Sequence, residues 1–354
     1  MRIKPPRAAL TLSVLLLTRA FAQDSSSPQG DLIEFLREQA GLTAGDLDAL
    51  QSGQTITRIL PHHKKGELAV AAATRMSVPL EFFVNAFRRL PTLERGPQTL
   101  IVREFSDPPR EADLQPLVLD PKDVQDLSQC VPGDCGLKLS AEMMQRIRAE
   151  SGGAAANPPA VINGAFRQQL FDYVIAYLSK GNSALITYAD KLPPVRSMDA
   201  FLGVLKEFDL LRREAQPLYQ CLESYSGQPC PQVDSLLYWS SAKFGLKPVL
   251  SVNDMLTYQT VRNGKPWVSI AFKQIYADHY FVASLGVVIL VSDSDVPSQP
   301  RLWVVYVNRS QTDGLAGLFG PLKRGVVEHR SRVTAQKDLL ELKSSLEAQY
   351  SRGR

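Results

Sequence analysis

Residues whose types could do chemistry concentrate in one passage, 271–281, where polar side chains interrupt two apolar, strand-like runs. The polar members are Lys273, Gln274, Asp278 and His279. Such groups can line a cavity and fix the polar head of a ligand whose body lies against aromatic rings. The alternative is a hairpin with its turn near residues 277–278, which leaves these side chains exposed, and turn composition favours it. A buried His279 would need a hydrogen-bond partner, for which Tyr276 or Asp278 is near in sequence.

A second candidate is Arg309, which ends a hydrophobic strand just before Asp313. A guanidinium there can hold a carboxylate or phosphate in two-point geometry. It can equally pair with Asp313 and hold the turn into the last helix, and this structural role is favoured. The predicted ligand-binding residues are Lys273, Tyr276, His279, Tyr280 and Arg309.

No enzyme signature accompanies these residues. The sequence has no G-x-S-x-G, no H-E-x-x-H and no phosphate-binding G-x-x-x-x-G-K-[ST] motif. His62 and His63 are adjacent, so in an extended segment they point to opposite faces, and a solvated turn is predicted. His329 lies among arginines on the final helix, where an exposed basic face is expected. No metal site and no cofactor are predicted, and catalysis stays an alternative only.

The first 22 residues predict a cleaved export signal. Three basic residues precede the apolar run Ala8–Thr18, and Ala20-Phe21-Ala22 matches the small-x-small pattern before a cleavage site after Ala22. The run is shorter than the ~20 apolar residues that a membrane-spanning helix needs. No later stretch is long and apolar enough to span, so no transmembrane segment is expected after cleavage. The predicted location is the periplasm or the medium.

Removing this segment changes the charge balance. The full chain has 40 Lys and Arg against 36 Asp and Glu. The signal contains four basic and no acidic residues, which leaves 36 against 36 in the mature chain. The basic excess therefore belongs to the signal, and nucleic acid is not an expected partner.

All four cysteines lie in the mature part, and an exported chain favours disulfides. Three pairings are possible, and sequence proximity favours Cys130–Cys135 with Cys221–Cys230, each pair bracketing turn-forming residues. A zinc site of four thiolates is the competing interpretation. The spacing between Cys221 and Cys230 is too wide for it.

Hydrophobic periodicity predicts one α+β domain over residues 23–354. An antiparallel sheet is expected mainly from residues 248–307, with further strands near 56–76 and 99–105. A long helix from about Gly325 to Tyr350 should pack across it. A mainly helical, disulfide-bearing insertion is expected at about 107–247, with residues 151–159 as a flexible linker.

Two segments resemble the helix-grip fold of START-like and polyketide-cyclase-like proteins. Residues 67–90, ELAVAAATRMSVPLEFFVNAFRRL, match a strand, a short S-x-P junction and an amphipathic helix. Residues 303–330, WVVYVNRSQTDGLAGLFGPLKRGVVEHR, match a last strand, a Gly-rich turn and a closing helix. The resemblance implies a sheet wrapped around the closing helix, with a lipid or other apolar ligand between them. The compact members of that group continue their sheet where this chain has the helical, cysteine-bearing insertion.

The leading hypothesis is an exported, non-enzymatic protein that binds an apolar or amphipathic small molecule or lipid between the sheet and the C-terminal helix. The second is a secreted hydrolase or cyclase that uses His279 with Tyr276, Asp278 or Tyr280. The third is a structural or interaction protein of the envelope, which a large exposed apolar patch would favour.

Overall fold

The protein is α+β, with one large antiparallel sheet, a long C-terminal helix and two disulfides in its middle part. The structure is a computed structural model. The structure describes residues 28–38, 40–88, 98–150, 159–243, 247–262, 264–292, 299–313, 315 and 320–353. The predicted signal peptide and residues 151–158 of the predicted linker lie outside these ranges.

The helices are α1 Pro28–Glu38, α2 Ala44–Gln51, α3 Leu80–Phe87, α4 Pro121–Leu127, α5 Ala141–Glu150, α6 Pro159–Lys180, α7 Ser197–Leu205, α8 Asp209–Glu214, α9 Gln216–Ser224 and α10 Gly320–Arg352. The strands are β1 Ile56–Ile59, β2 Glu67–Met76, β3 Thr99–Glu104, β4 Thr187–Tyr188, β5 Val195–Arg196, β6 Val233–Lys243, β7 Pro248–Arg262, β8 Lys265–Ala277, β9 Phe281–Ser292 and β10 Leu302–Thr312. Eight strands form the main sheet in the order β1-β2-β10-β9-β8-β7-β6-β3, and β4 pairs with β5 separately.

Both faces of the main sheet are covered, so its strands are apolar on both sides. One face packs against residues 105–232, the segment between β3 and β6, and we call it the insertion face. Its core contains all three tryptophans together with aromatic residues of the insertion helices. The opposite face carries α3 and α10, and we call it the helix face. Its core joins Phe83 and Phe87 of α3 to Leu339 and Leu346 of α10.

The C-terminal helix runs alongside β2. Arg324 donates to the backbone oxygen of Glu67 at the start of β2 (2.9 Å), and Glu347 accepts from the backbone nitrogen of Ser77 just after its end (2.7 Å). Twenty-three helical residues span about 35 Å, and ten strand residues span nearly the same length. An apolar stripe along α10 faces this core. Leu339 and Leu346 are buried in it, and Leu342 and Tyr350 are partly buried against it.

The insertion is helical with two local disulfides, Cys130–Cys135 and Cys221–Cys230, which are the pairings predicted from the sequence. Its helical part ends earlier than predicted, because residues 233–243 form the sheet strand β6 rather than insertion. Residues 248–262 form one continuous strand, β7. Residues 197–214 form two helices, α7 and α8, because Phe208 between them has non-helical backbone angles.

Among the described residues, no helix combines the length and the hydrophobicity that crossing a membrane requires. The two disulfides are compatible with the predicted export.

Candidate functional site

The five predicted ligand-binding residues do not form one site. Lys273, Tyr276 and Arg309 point to the insertion face and away from α10, whereas His279 and Tyr280 form the turn between β8 and β9. A bulge in β8 explains the position of Tyr276. Val252 pairs with Tyr276 while the next residue of β7 pairs with Gln274, so the extra residue, Ile275, brings Tyr276 to the same face as Lys273.

Lys273 is fully buried, in contrast to the exposed position that the hairpin interpretation predicted. Its Nζ donates to the hydroxyl of Tyr177 (3.2 Å) and to Oδ1 of Asn182, and lies over the rings of Tyr177 and Phe201. Tyr177 in turn donates to Oδ2 of Asp254 at 2.8 Å. Burial lowers the pKa of Lys273 to about 8 and raises the pKa of Asp254. The network joins the sheet to α6 and closes the space around the ammonium group.

Arg309 pairs with a residue other than the predicted Asp313. Its Nη1 donates to Oε1 of Glu67 on the adjacent strand (2.5 Å) and to the backbone oxygen of Pro61 (3.2 Å), and both side chains of the ion pair are buried. Asp313 is bound instead by Lys138, with Lys191 at 3.7 Å. The structural role expected for Arg309 therefore acts between strands rather than across the turn.

The turn between β8 and β9 falls where the sequence predicted it, but its polar residues are buried. His279 is 5 % exposed and Asp278 is 3 % exposed. The partner of His279 is Asp123 at the start of α4, with 3.0 Å between Nε2 and Oδ2, rather than Tyr276 or Asp278. The other carboxylate oxygen of Asp123 accepts from Lys247. Asp123 was not among the predicted site residues, because 156 residues separate it from His279 and no local pattern links the two.

Charge controls the protonation of this cluster. Burial alone would raise the pKa of Asp123, but hydrogen bonds from His279 and Lys247 outweigh it and lower the value. Burial would lower the pKa of His279, but the hydrogen bond to Asp123 and the charge of Asp278 raise it. Asp278 has the opposite balance, because burial dominates and raises its pKa to about 7.

The geometry of the cluster permits cation binding. Asp123, Asp278 and His279 each offer one ligand atom, and these atoms lie within 4.8 Å of one another. Tyr280 holds the turn in place. It adopts a left-handed backbone angle (φ 58°), its hydroxyl accepts from the backbone nitrogen of Lys247 (3.1 Å), and its carbonyl accepts from that of Asp313 (3.1 Å).

A second polar assembly lies on the helix face. A ligand was predicted on this side of the sheet, but the residues predicted to bind it lie elsewhere. Seven neutral polar side chains form a row across five neighbouring strands, which we call the polar band: Ser240, Ser251, Asn253, Gln274, Ser284, Asn308 and Ser310. The hydroxyls of Ser284 and Ser310 are 2.9 Å apart, and Asn308 donates to Ser284 at 3.2 Å. Of the predicted polar passage, Gln274 alone reaches this face.

The band is only partly covered. Ser284 and Asn308 are half-buried although they lie on central strands, as are the neighbouring rings of Phe272 and Tyr306. Gln274 is 9 % exposed, and its Nε2 has no hydrogen-bond partner within the described part of the chain. A buried amide without a partner costs about 1–3 kcal/mol, so a ligand group that reached this donor would regain a hydrogen bond.

A groove of about 750 Å³ opens at the other end of the helix face, between α3, the β7–β8 hairpin and Tyr350. Its charged residues Glu81, Arg88 and Arg301 are exposed, so they form a solvated rim rather than a preorganised site.

No family model, curated protein or solved structure matches the chain.

Proposed function

We propose that the protein binds an amphipathic small molecule with an uncharged, hydrogen-bonding head on the helix face, beside α10. The unpartnered amide nitrogen of Gln274 in the polar band supports this proposal most directly. Polar side chains in the middle of a covered sheet face are costly, unless a ligand or water completes their hydrogen bonds. A bound head group would supply the missing acceptor.

The composition of the band defines the head group. It contains Ser, Asn and Gln and no ionisable side chain, so it can exchange hydrogen bonds with hydroxyl, ester or amide groups but cannot neutralise a charge. A charged head would have to be desolvated here without a counter-ion. An uncharged head, as in a glyceride or a glycolipid, is the class that fits.

Aromatic side chains next to the band would hold the apolar body. Phe272 and Tyr306 flank Gly286, and Phe87 of α3 approaches Phe272 with ring centroids 6.3 Å apart. A Cβ at Gly286 would lie 3.4 Å from Tyr306, 3.5 Å from Asn308 and 3.7 Å from Phe272, so the glycine lets these three side chains close over this part of the sheet. The apolar tail would then run from the band toward α3. The resemblance implies a ligand between the sheet and the closing helix, whereas here the body would lie between the sheet and α3, beside α10.

The first test is native mass spectrometry of protein isolated from its own periplasm, followed by titration calorimetry with three probes of equal chain length below micelle formation. The probes are 1-monolauroylglycerol, laurate and dodecylamine. We expect the uncharged glyceride to bind more tightly than either charged probe. Gln274→Met should weaken glyceride binding by about three- to tenfold, as loss of one hydrogen bond predicts.

Two matched comparisons define the site. Gly286→Leu would displace Tyr306, Asn308 and Phe272 and should abolish binding, whereas Gly286→Ala, whose Cβ would make van der Waals contacts with them, should retain it. Gln115→Met alters an exposed glutamine of the insertion and should have no effect. The proposal is wrong if no probe binds, or if Gln274→Met and Gly286→Leu bind the glyceride as well as the unaltered protein does.

A further inference from the structure

The buried cluster at the β8–β9 turn is independent of the polar band. Its three ligand atoms come from two segments far apart in sequence, α4 and the turn, which the fold brings within 4.8 Å of one another. Asp123, Asp278 and His279 are each at most 5 % exposed. Two carboxylates and an imidazole form a mixed oxygen and nitrogen donor set, which suits borderline divalent metal ions.

The charges within the cluster are unequally paired. Asp123 accepts from both His279 and Lys247. Asp278 receives one hydrogen bond, from the backbone nitrogen of Leu250 to Oδ1 (2.9 Å), and no Lys or Arg of the described ranges forms an ion pair with it. Buried carboxylates are normally paired with a cation or coordinate a metal ion. Among the described Lys and Arg residues Asp278 has no such ion-pair partner, and a bound cation would supply one.

A second observation comes from Tyr276, which is fully buried beneath the turn. Its hydroxyl has no hydrogen-bond partner among the described residues. A hydroxyl so placed can donate to a carboxylate or accept from a metal-bound water, and either would complete its hydrogen bonding.

We propose that Asp123, Asp278 and His279 bind a single divalent transition-metal ion of the Zn²⁺ class. Tetrahedral ligands at about 2.0 Å from Zn²⁺ lie about 3.3 Å apart, so shifts of about 1 Å would bring the three side chains into place. Three protein ligands leave a fourth position for water, which is the pattern of catalytic rather than structural zinc sites.

Lys247 makes the proposal distinguishable from a purely structural ion-pair cluster. Its ammonium group occupies one oxygen of Asp123 and repels an incoming cation. Lys247→Met should therefore strengthen metal binding, by about tenfold or more if the effective dielectric constant is near 20. A cluster that only ties α4 to the sheet would lose stability with this substitution and acquire no metal affinity.

The test uses the full disulfide-bonded protein, stripped with a chelator and dialysed. Zn²⁺ binding is measured by calorimetry and by elemental analysis after gel filtration, and Co²⁺ provides the visible spectrum of the site. We expect one Zn²⁺ per chain. Asp278→Asn and His279→Gln should each weaken binding by about a hundredfold or more, whereas His329→Gln, at an exposed histidine, should not. Far-UV circular dichroism of each variant controls for folding.

The unaltered protein decides the outcome even where a variant fails to fold. Absence of stoichiometric Zn²⁺ and of a Co²⁺ spectrum overturns the proposal. Binding that persists in both Asp278→Asn and His279→Gln also overturns it, because the ion then lies elsewhere. One Zn²⁺ per chain, lost with either substitution and strengthened by Lys247→Met, supports it.

Discussion

The buried ammonium group of Lys273 gives the most quantitative prediction. Burial lowers its pKa from the ordinary value of 10.5 to about 8. Between these two values the unfolded chain holds a proton that the folded protein has released, so stability rises with pH. A difference of this size corresponds to about 3 kcal/mol, of which about 2–3 kcal/mol should be recovered between pH 7 and pH 10.

The substitution Lys273→Met removes the titrating group and keeps a side chain of similar length. Its effect at a single pH combines the relief of desolvation with the loss of hydrogen bonds to Tyr177 and Asn182. The change with pH isolates the ammonium group. We therefore expect the unfolding free energy of the unaltered protein to rise by about 2–3 kcal/mol, relative to the Lys273→Met variant, from pH 7 to pH 10.

Guanidinium unfolding with intact disulfides measures this difference, and tryptophan fluorescence reports it because all three tryptophans are buried. The comparison stops at pH 10. Above that pH the folded protein loses stability for a second reason, because burial raises the pKa of tyrosines such as Tyr276. Lys206→Met, at an exposed lysine after α7, should show the same pH dependence as the unaltered protein. If the difference in unfolding free energy between the unaltered protein and Lys273→Met did not change from pH 7 to pH 10, the reasoning would be refuted.

Three further substitutions test the packing of charged, polar and apolar groups, each by denaturant unfolding at neutral pH. Arg309→Met should cost about 3–5 kcal/mol because it leaves Glu67 buried and unpaired, and adding Glu67→Met should recover part of that loss. An equal loss of stability in the single variant Arg309→Met and in the double variant would show that packing, not charge, is responsible. Tyr276→Phe, in chelator, should stabilise the protein by about 1 kcal/mol, because the deleted hydroxyl has no partner. Destabilisation of similar size would mean that the hydroxyl is bonded. Leu346→Ala should cost about 2–4 kcal/mol, and Leu340→Ala, on the exposed side of α10, less than about 1 kcal/mol. Similar costs at both positions would contradict the placement of α10.

The general architecture could be predicted from the sequence because it depends on local periodicity. The stripe Leu339, Leu342, Leu346 and Tyr350 indicated α10, and alternation indicated most of the sheet. The strand β6 was missed although it holds Trp239, one of the largest fully buried side chains. Asn253 and Asp254 interrupt the apolar pattern of β7. In the structure Asn253 donates to Ser251 of the same strand, and Asp254 accepts from Tyr177 of α6 and from Ser235 of β6.

The candidate sites depended on facts that one sequence does not contain. The sequence pointed to the passage 271–281, but the strand alternation there determines which face each residue occupies, and one bulge changes it. Gln274 lies on the helix face, whereas Lys273 and Tyr276 face the insertion. The partners Asp123 and Glu67 are 156 and 242 residues away from the groups that they bind. No local pattern specifies such contacts.

The insertion explains why so many charged groups are buried in one protein. A sheet with one covered face normally places polar residues on the other, where water satisfies them. Here residues 105–232 cover that second face, so Lys273, Asp254, Glu67 and Arg309 lie in a core and need protein partners. Each of these four side chains has a hydrogen-bonding partner on an adjacent strand or on an element of the insertion. Among the described residues, the amide of Gln274, the hydroxyl of Tyr276 and the indole nitrogen of Trp303 are buried without a hydrogen-bond partner, and Asp278 forms no ion pair with a Lys or Arg. A ligand on the helix face would complete the bonding of Gln274, and an ion at the turn would supply the charge that Asp278 lacks.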